Sequence, residues 1–274
     1  MAKTIGFIGA GNMATALAGG IAARGWAAAG IALSDAIPAA LEPHAARGHF
    51  TSTDNRAVVE RADVLVLAVK PQVMAQVLTP LAGLVQARRP LIISIAAGIP
   101  VASLAHWLGG DLPIVRAMPN TPALVQAGAT GLFASTAVSH EQRAEAEAIL
   151  GAVGLTLWVG EERLIDAVTA VSGSGPAYFF YVMEAMIAAG RELGLDADTA
   201  RALTLQTALG SAQMAIAADV GPAELRRRVT SPGGTTERAV AAFDAAGLQA
   251  IFSRALAACA ARGAELAEQL GKTD

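Results

Sequence analysis

The sequence predicts an α/β doubly wound domain followed by an all-helical domain. Three observations carry this. Short β-branched apolar runs alternate with helical patterns through residues 1–160. The clearest of these runs is continuously apolar, as in a parallel strand covered on both faces. From Glu161 onward only helical periodicity remains.

The elements follow in order. KTIGFIG (residues 3–9) reads as a strand, and NMATALAGGIAARG (12–25) as a helix ended by Gly25. GIALSD (30–35) is a second strand, and PAALEPHAARG (38–48) a second helix broken by its proline. DVLVLAVKP (63–71) is the continuous apolar run, a third strand. PLIISIAAG (90–98) and PIVRAMPNTP (113–122) are further strands ending in glycine or proline turns. Right-handed crossovers join such units. Helical stretches follow at 161–171, 176–193, 198–219, 222–229, 235–246 and 248–270, punctuated by SGSGP, LGLD, DVGP, SPGG and AAGL. The expected domains are therefore residues 1–160 and 161–274.

Composition narrows the function. Hydrophobic residues make up 54% of the chain and charged residues 16%, so the chain is compact and some of its surface is expected to be hidden by self-association. A net charge of −3 gives no reason to expect nucleic acid, and the run Arg226–Arg228 reads as a solvated helix face. The single cysteine, Cys259, allows no internal disulfide, which fits a reducing, cytoplasmic setting. It sits at a core spacing and is expected to be buried and inert. The N-terminal segment lacks a signal-peptide pattern. The uncharged stretch 202–218 contains Thr, Gln and Ser and reads as a helix buried within protein, between subunits, rather than in a membrane.

Gly9, Gly11 and Ala14 form a G-x-G-x-x-A pattern between the first strand and the first helix. There the glycines permit a tight turn and close approach of a pyrophosphate, while the helix N-terminus supplies N–H groups and partial positive charge. The second strand ends at Asp35, placed to bond the ribose hydroxyls of NAD and to repel the 2′-phosphate of NADP. A helix-capping role is the alternative. Ligands of doubly wound sheets lie beyond the carboxyl ends of strands. Ala68, Val69, Lys70 and Pro71, the stretch Ser94–Gly98, and Met118–Pro122 should therefore line the crevice. Asn120 is placed near the nicotinamide, or else braces its proline-bounded turn.

The residues missing from the chain also bear on the chemistry. The four histidines all lie in the first domain, and the helical domain has one lysine, Lys272, near its end. Neither Tyr178 nor Tyr181 is followed four residues later by lysine. Reduction of a carbonyl needs a proton donor for the developing alkoxide. A protonated imine needs none, because hydride addition discharges it to a neutral amine. The pattern therefore favours a C=N substrate. No His, Cys, Asp or Glu cluster has metal-ligand spacing.

VTSPGGTT (229–236) stands before a helix. Unhindered N–H groups and the helix dipole suit a carboxylate, and a threonine hydroxyl there can reach an imine nitrogen. A plain helix cap needs only one Ser or Thr. SGSGPAY (172–178) reads as a structural break with Pro176 opening the next helix.

Together GFIGAGNMA, LAVKP, SIAAG, MPNTP, LIDAVTAVSGSGPAY and VTSPGGTTERAV resemble the pyrroline-5-carboxylate reductase family over essentially the whole chain, the last being the most specific. The resemblance implies a Rossmann domain and a helical domain interlocked with a second subunit, with dimers that often assemble further, commonly into decamers. It implies NAD(P)H-dependent reduction of the cyclic imine 1-pyrroline-5-carboxylate to L-proline. By the same resemblance Ile8, Gly9, Ala10, Gly11, Asn12 and Met13, Asn55, Ala68–Pro71, and Ala96, Ala97 and Gly98 hold the cofactor. Ser231, Gly233, Gly234 and Thr235 hold the substrate, Thr235 at the ring nitrogen, with Thr169 in support. Members commonly carry Ser, Thr, Asn or Arg where this chain has Asp35, so NADH becomes an expected cofactor beside NADPH. Among rivals, a β-hydroxyacid dehydrogenase needs a lysine that residues 176–193 lack. A non-catalytic dinucleotide sensor would not need the Gly-Gly-Thr turn.

Overall fold

The computed structural model describes residues 3–272. Eight strands form one sheet in the order β3-β2-β1-β4-β5-β6-β7-β8. They are β1 (Ile5–Ile8), β2 (Ile31–Ser34), β3 (Phe50–Ser52), β4 (Val64–Leu67), β5 (Leu91–Ser94), β6 (Ile114–Met118), β7 (Gly128–Ala134) and β8 (Gly154–Trp158). All neighbours run parallel except β6 and β7. β1, β2, β4 and β5 are buried at every position, which is why they read as unbroken apolar runs. The order reverses between β1 and β4, and that reversal opens the crevice at their carboxyl ends.

Helices α1 (Asn12–Ala23), α2 (Pro38–Ala45), α3 (Asn55–Val59), α4 (Met74–Leu78), α5 (Ala82–Arg88), α6 (Val101–Trp107) and α7 (His140–Leu150) cover the sheet. One core cluster joins Phe7, Leu33, Val66 and Ile93 to Leu17 and Ile21 of α1. A second joins Ile8, Leu65, Leu67 and Ile92 to Met74, Leu78, Val85 and Leu104. α2 continues through Pro43, so the expected break is absent.

Strands β3, β7 and β8 do not stand out in the sequence. β3 has three residues. β7, GATGLFA, is rich in small residues. β8, on the sheet edge, leaves Leu155 and Leu157 exposed, so its alternation has no polar side.

α8 (Leu164–Val168) runs into a π-helical segment, Thr169–Gly173. Then come α9 (Gly175–Glu192), α10 (Ala197–Ala217), α11 (Pro222–Arg228), α12 (Thr235–Ala245) and α13 (Leu248–Leu270). These match the expected helical stretches within a few residues. By packing, residues up to Ser174 and from Ala258 onward form a sheet unit, and Gly175–Ala257 a helical unit. The division by periodicity at 160/161 is thus not the division by contact. The reason is specific. Arg116 of β6 pairs with Glu162 and Asp166, Ser103 donates to the Gly271 carbonyl at 2.6 Å, and Leu270 packs on the second core. Cys259, expected in a core, is half-buried with its thiol 3.3 Å from Ser174 Oγ.

In the helical unit α9 and α10 pack together, and of their residues only Gly175, Ala200 and Thr204 are buried. Leu203, Leu209, Met214 and Ile216 of the stretch expected inside protein are exposed in the single chain. No single helix among the described residues is long and apolar enough to cross a membrane; α12 and α13 pass such a test only as a pair bent by 50°.

Candidate functional site

The glycine turn is built at the switch point. β1 ends at Ile8, and Gly9 turns with φ +99, a conformation costly for any residue with a Cβ. A Cβ there would also meet the Ala68 carbonyl group at 2.8 Å. Ala68 in turn donates its N–H to the Ile8 carbonyl at 2.8 Å. Gly11 differs. Its φ is −72, and a Cβ added to it would meet no atom within 4 Å. Nothing in the fold requires glycine there. The space it leaves open lies before the uncapped start of α1, where Asn12 and Met13 present the first helical turn. That is a cradle a side chain would fill, and its donor set suits a phosphate. Ala14 is buried against the sheet, as its place in the pattern requires.

Asp35 faces the turn and does not cap α2, whose N-cap Ile37 has no side-chain cap hydrogen bond. One carboxylate oxygen accepts from the Ala10 N–H and the other from the Ile37 N–H, each at 2.9 Å. The Asp35 N–H donates to the Ser52 carbonyl at 3.3 Å, which brings the β3 end alongside. Asn55 opens α3 there, behind Asp54, which caps the helix through the Arg56 N–H. Val69 is half-buried and Lys70 exposed, and Pro71 opens a tight helical turn. On the same edge of the sheet, Ala96 is buried, Ala97 half-buried, and Gly98 turns with φ +71 against Leu266 of α13.

Asn120, 8% exposed, follows β6. Its Nδ2 donates to the Ser172 carbonyl and its Oδ1 accepts from the Ala129 N–H, both at 2.9 Å. Its bracing role is thus visible, and it ties the β6 end to the π-helical segment. Thr169 opens that segment and donates its hydroxyl to the Ile165 carbonyl at 2.8 Å, which leaves the oxygen's lone pairs.

The helical unit carries the 229–236 turn. Ser231, Thr235 and Thr236 are exposed, and α12 begins at Thr235 behind Gly234, an N-cap with no side-chain hydrogen bond. Both glycine N–H groups of the turn are already engaged: Gly233 donates to Glu237 Oε2 at 2.8 Å and Gly234 to the Ser231 carbonyl at 3.0 Å. The N–H groups at the start of α12 are the ones left for an anion.

Two groups escaped the sequence reading. Glu237 is one; its signal was a carboxylate in the first turn of a helix proposed to hold an anion. Arg116 is the other, a lone charge in an apolar strand. It is 4% exposed, lies 3.1 Å from Glu162 Oε1 and 3.9 Å from Asp166 Oδ1, and its Nε is buried without a hydrogen-bond partner. Glu162 Oε1 also accepts the Val101 N–H at 2.8 Å and so fixes the loop after Gly98. Burial pushes the Asp166 carboxyl up from its ordinary value, Arg116 opposes that, and Glu162 adds to it. Among the described residues no group of three His, Cys, Asp or Glu is placed to hold a metal ion.

Comparisons with known proteins bear on the family and the fold. A family model described as pyrroline-5-carboxylate reductase dimerisation matches residues 162–266, and one described as NADP oxidoreductase, coenzyme F420-dependent, matches residues 4–98. The pyrroline-5-carboxylate reductase of Pseudomonas aeruginosa is 55% identical over 271 residues, 98% of each chain. A solved pyrroline-5-carboxylate reductase from Coxiella burnetii has a TM-score of 0.93 at 43% identity, over 97% of this chain and 99% of that one. A Plasmodium falciparum pyrroline carboxylate reductase, solved with NADP bound, has a TM-score of 0.85 at 27% identity, over 97% and 98%. With its doubly wound sheet, its glycine turn and this likeness along its full length, the chain belongs to the pyrroline-5-carboxylate reductase family.

Proposed function

We propose that the chain reduces the cyclic imine 1-pyrroline-5-carboxylate to L-proline with a nicotinamide dinucleotide, the closing step of proline synthesis. The observation that carries the reading is the glycine turn. Gly11 is required by nothing in the fold and leaves space for a phosphate at the start of α1. The family of its relatives points the same way. The backbone from Ile8 to Met13 would hold the pyrophosphate. Asn55, Ala68–Pro71, Ala96–Gly98 and Asn120 would line the rest of the crevice.

Asp35 supports a preference for NADH. Its carboxylate is held at the end of β2 by two backbone N–H groups, and each oxygen keeps a lone pair for ribose hydroxyls. A 2′-phosphate would meet a fixed like charge.

Bound there, the reduced nicotinamide supplies the hydride. The protein's part is orientation. Ser231, Gly233, Gly234 and the first N–H groups of α12 would hold the substrate carboxylate. The Thr235 hydroxyl would bond the ring nitrogen, with Thr169 in support. No side chain has to supply a strong acid, because the protonated imine ends as a neutral amine.

The sequence division 1–160 and 161–274 becomes one of roles: dinucleotide binding in the first part, substrate binding and self-association in the second. An interlocked homodimer, with dimers gathering into a decamer, fits the exposed apolar helices. The test is a steady-state assay with 1-pyrroline-5-carboxylate, following NADH and NADPH in parallel. Turnover with a higher rate for NADH is expected. Thr235→Ala should lose about 10²-fold in kcat/KM while its NADH affinity stays unchanged. Full turnover in that variant would mean the substrate site is misplaced.

A further inference from the structure

Two buried histidines have no part in the site as described so far. His44 and His49 are 1% and 6% exposed. A turn at Gly48 closes α2, the His49 N–H donates to the His44 carbonyl at 3.2 Å, and the rings stack with centroids 5.6 Å apart. His49 Nδ1 lies 3.4 Å from His44 Nδ1, and His44 Nε2 lies 3.1 Å from Thr15 Oγ1. The Thr15 hydroxyl, in the first turns of α1, is 3.5 Å from the Ala10 carbonyl. A neutral imidazole carries one N–H. One assignment gives every contact a proton: His49 Nδ1 donates to His44 Nδ1, His44 Nε2 donates to Thr15, and Thr15 donates to Ala10.

Ala10 stands between Gly9 and Gly11. Its N–H donates to Asp35 and its carbonyl accepts from Thr15. Two successive peptide groups of the turn are therefore held from outside, one from the end of β2 and one from a chain of groups rooted in α2. The flanking glycines would otherwise leave these peptides free to rotate. A ligand would then have to order them on binding.

We infer that His44, acting through Thr15, is a positioning residue for the dinucleotide. It fixes the Thr15 hydroxyl, which holds the Ala10–Gly11 peptide in its phosphate-facing orientation. His49 fixes the tautomer of His44. The inference rests on the reading of this turn as the dinucleotide site.

The test is a fluorescence titration of NADH without imine, followed by full kinetics. Thr15→Val and His44→Leu should each weaken NADH about fivefold. The double variant should be little worse than either one, because both break the same chain of contacts. Thr15→Ser keeps the hydroxyl, and His44→Gln places an amide near the Nε2 position, so both should stay close to the unsubstituted protein. In turnover the loss should fall on KM for the dinucleotide and leave kcat and the imine KM within about twofold. A lowered Tm with unchanged NADH affinity in Thr15→Val, which keeps the packing, overturns the inference. If the unsubstituted protein binds NADH but does not turn over the imine, the reductase reading fails and the inference stands. If it binds neither NADH nor NADPH, both fall.

Discussion

The sheet unit and the helical unit bury apolar residues in opposite ways. In the sheet unit Phe7, Ile5, Leu17, Leu33, Leu65 and Ile92 are wholly enclosed by their own chain. In the helical unit, helices α11 and α12 bury no residue at all, and α10 buries Ala200 and Thr204 alone. Phe179, Phe180, Tyr181, Leu209, Met214 and Ile216 stand more than half exposed. Such an exposed apolar face marks an interaction surface. One unit is thus complete as a fold within its own chain, and the other leaves its apolar helix faces open, in line with its match to a dimerisation family.

Phe180→Glu places a charge on the exposed face of α9. It should weaken self-association by more than about 3 kcal/mol, over 100-fold, read as a fall in mass by light scattering at micromolar protein. NADH affinity should persist. An unchanged mass would move the interface elsewhere.

Arg116→Met tests the opposite unit. It leaves Glu162 and Asp166 without their cation, and should cost about 3 kcal/mol in denaturant unfolding while self-association stays intact. Loss of association in this variant would show that the two units depend on each other.

Gly9→Ala combines a positive φ with a clash against the Ala68 backbone. We expect about 2 kcal/mol of destabilisation and loss of NADH binding, measured by thermal unfolding and titration. A variant that binds NADH normally would show that the turn tolerates rearrangement.

The smallest effect comes from the histidine pair. Burial lowers both imidazoles from their ordinary value, helped at His44 by His49 and Arg47 and at His49 by Arg47. The unfolded chain therefore binds the extra protons. Stability should hold above about pH 6.5, fall as pH drops below it, and level off once pH passes the lowered folded value. A loss of about 2–4 °C in Tm is expected in that window, and it should be flattened in His44→Gln. A flat profile in the unsubstituted protein would mean that the pair takes up protons in the fold as readily as in the unfolded chain.

Features set by near neighbours in the chain are legible in short segments. Buried parallel strands such as Val64–Leu67 are unbroken apolar runs because both faces are covered. The glycine turn, the carboxylate ending β2 and the Ser-Pro-Gly-Gly-Thr-Thr turn follow from residue types a few positions apart. The helices from α9 to α13 are delimited by glycine and proline, which interrupt backbone hydrogen bonding locally. The remaining features depend on contacts that join residues far apart in the chain. Thr15 meets His44 across 29 positions, Arg116 meets Glu162 across 46, and Ser103 meets Gly271 across 168. β7 and β8 have weak local patterns; β7 becomes a strand because β6 offers it an edge to pair with, and β8 because β7 does so in turn. The end of α13 has the same periodicity as its beginning, yet it belongs to the sheet unit. Periodicity says which face of a helix is apolar, and only packing says what covers it.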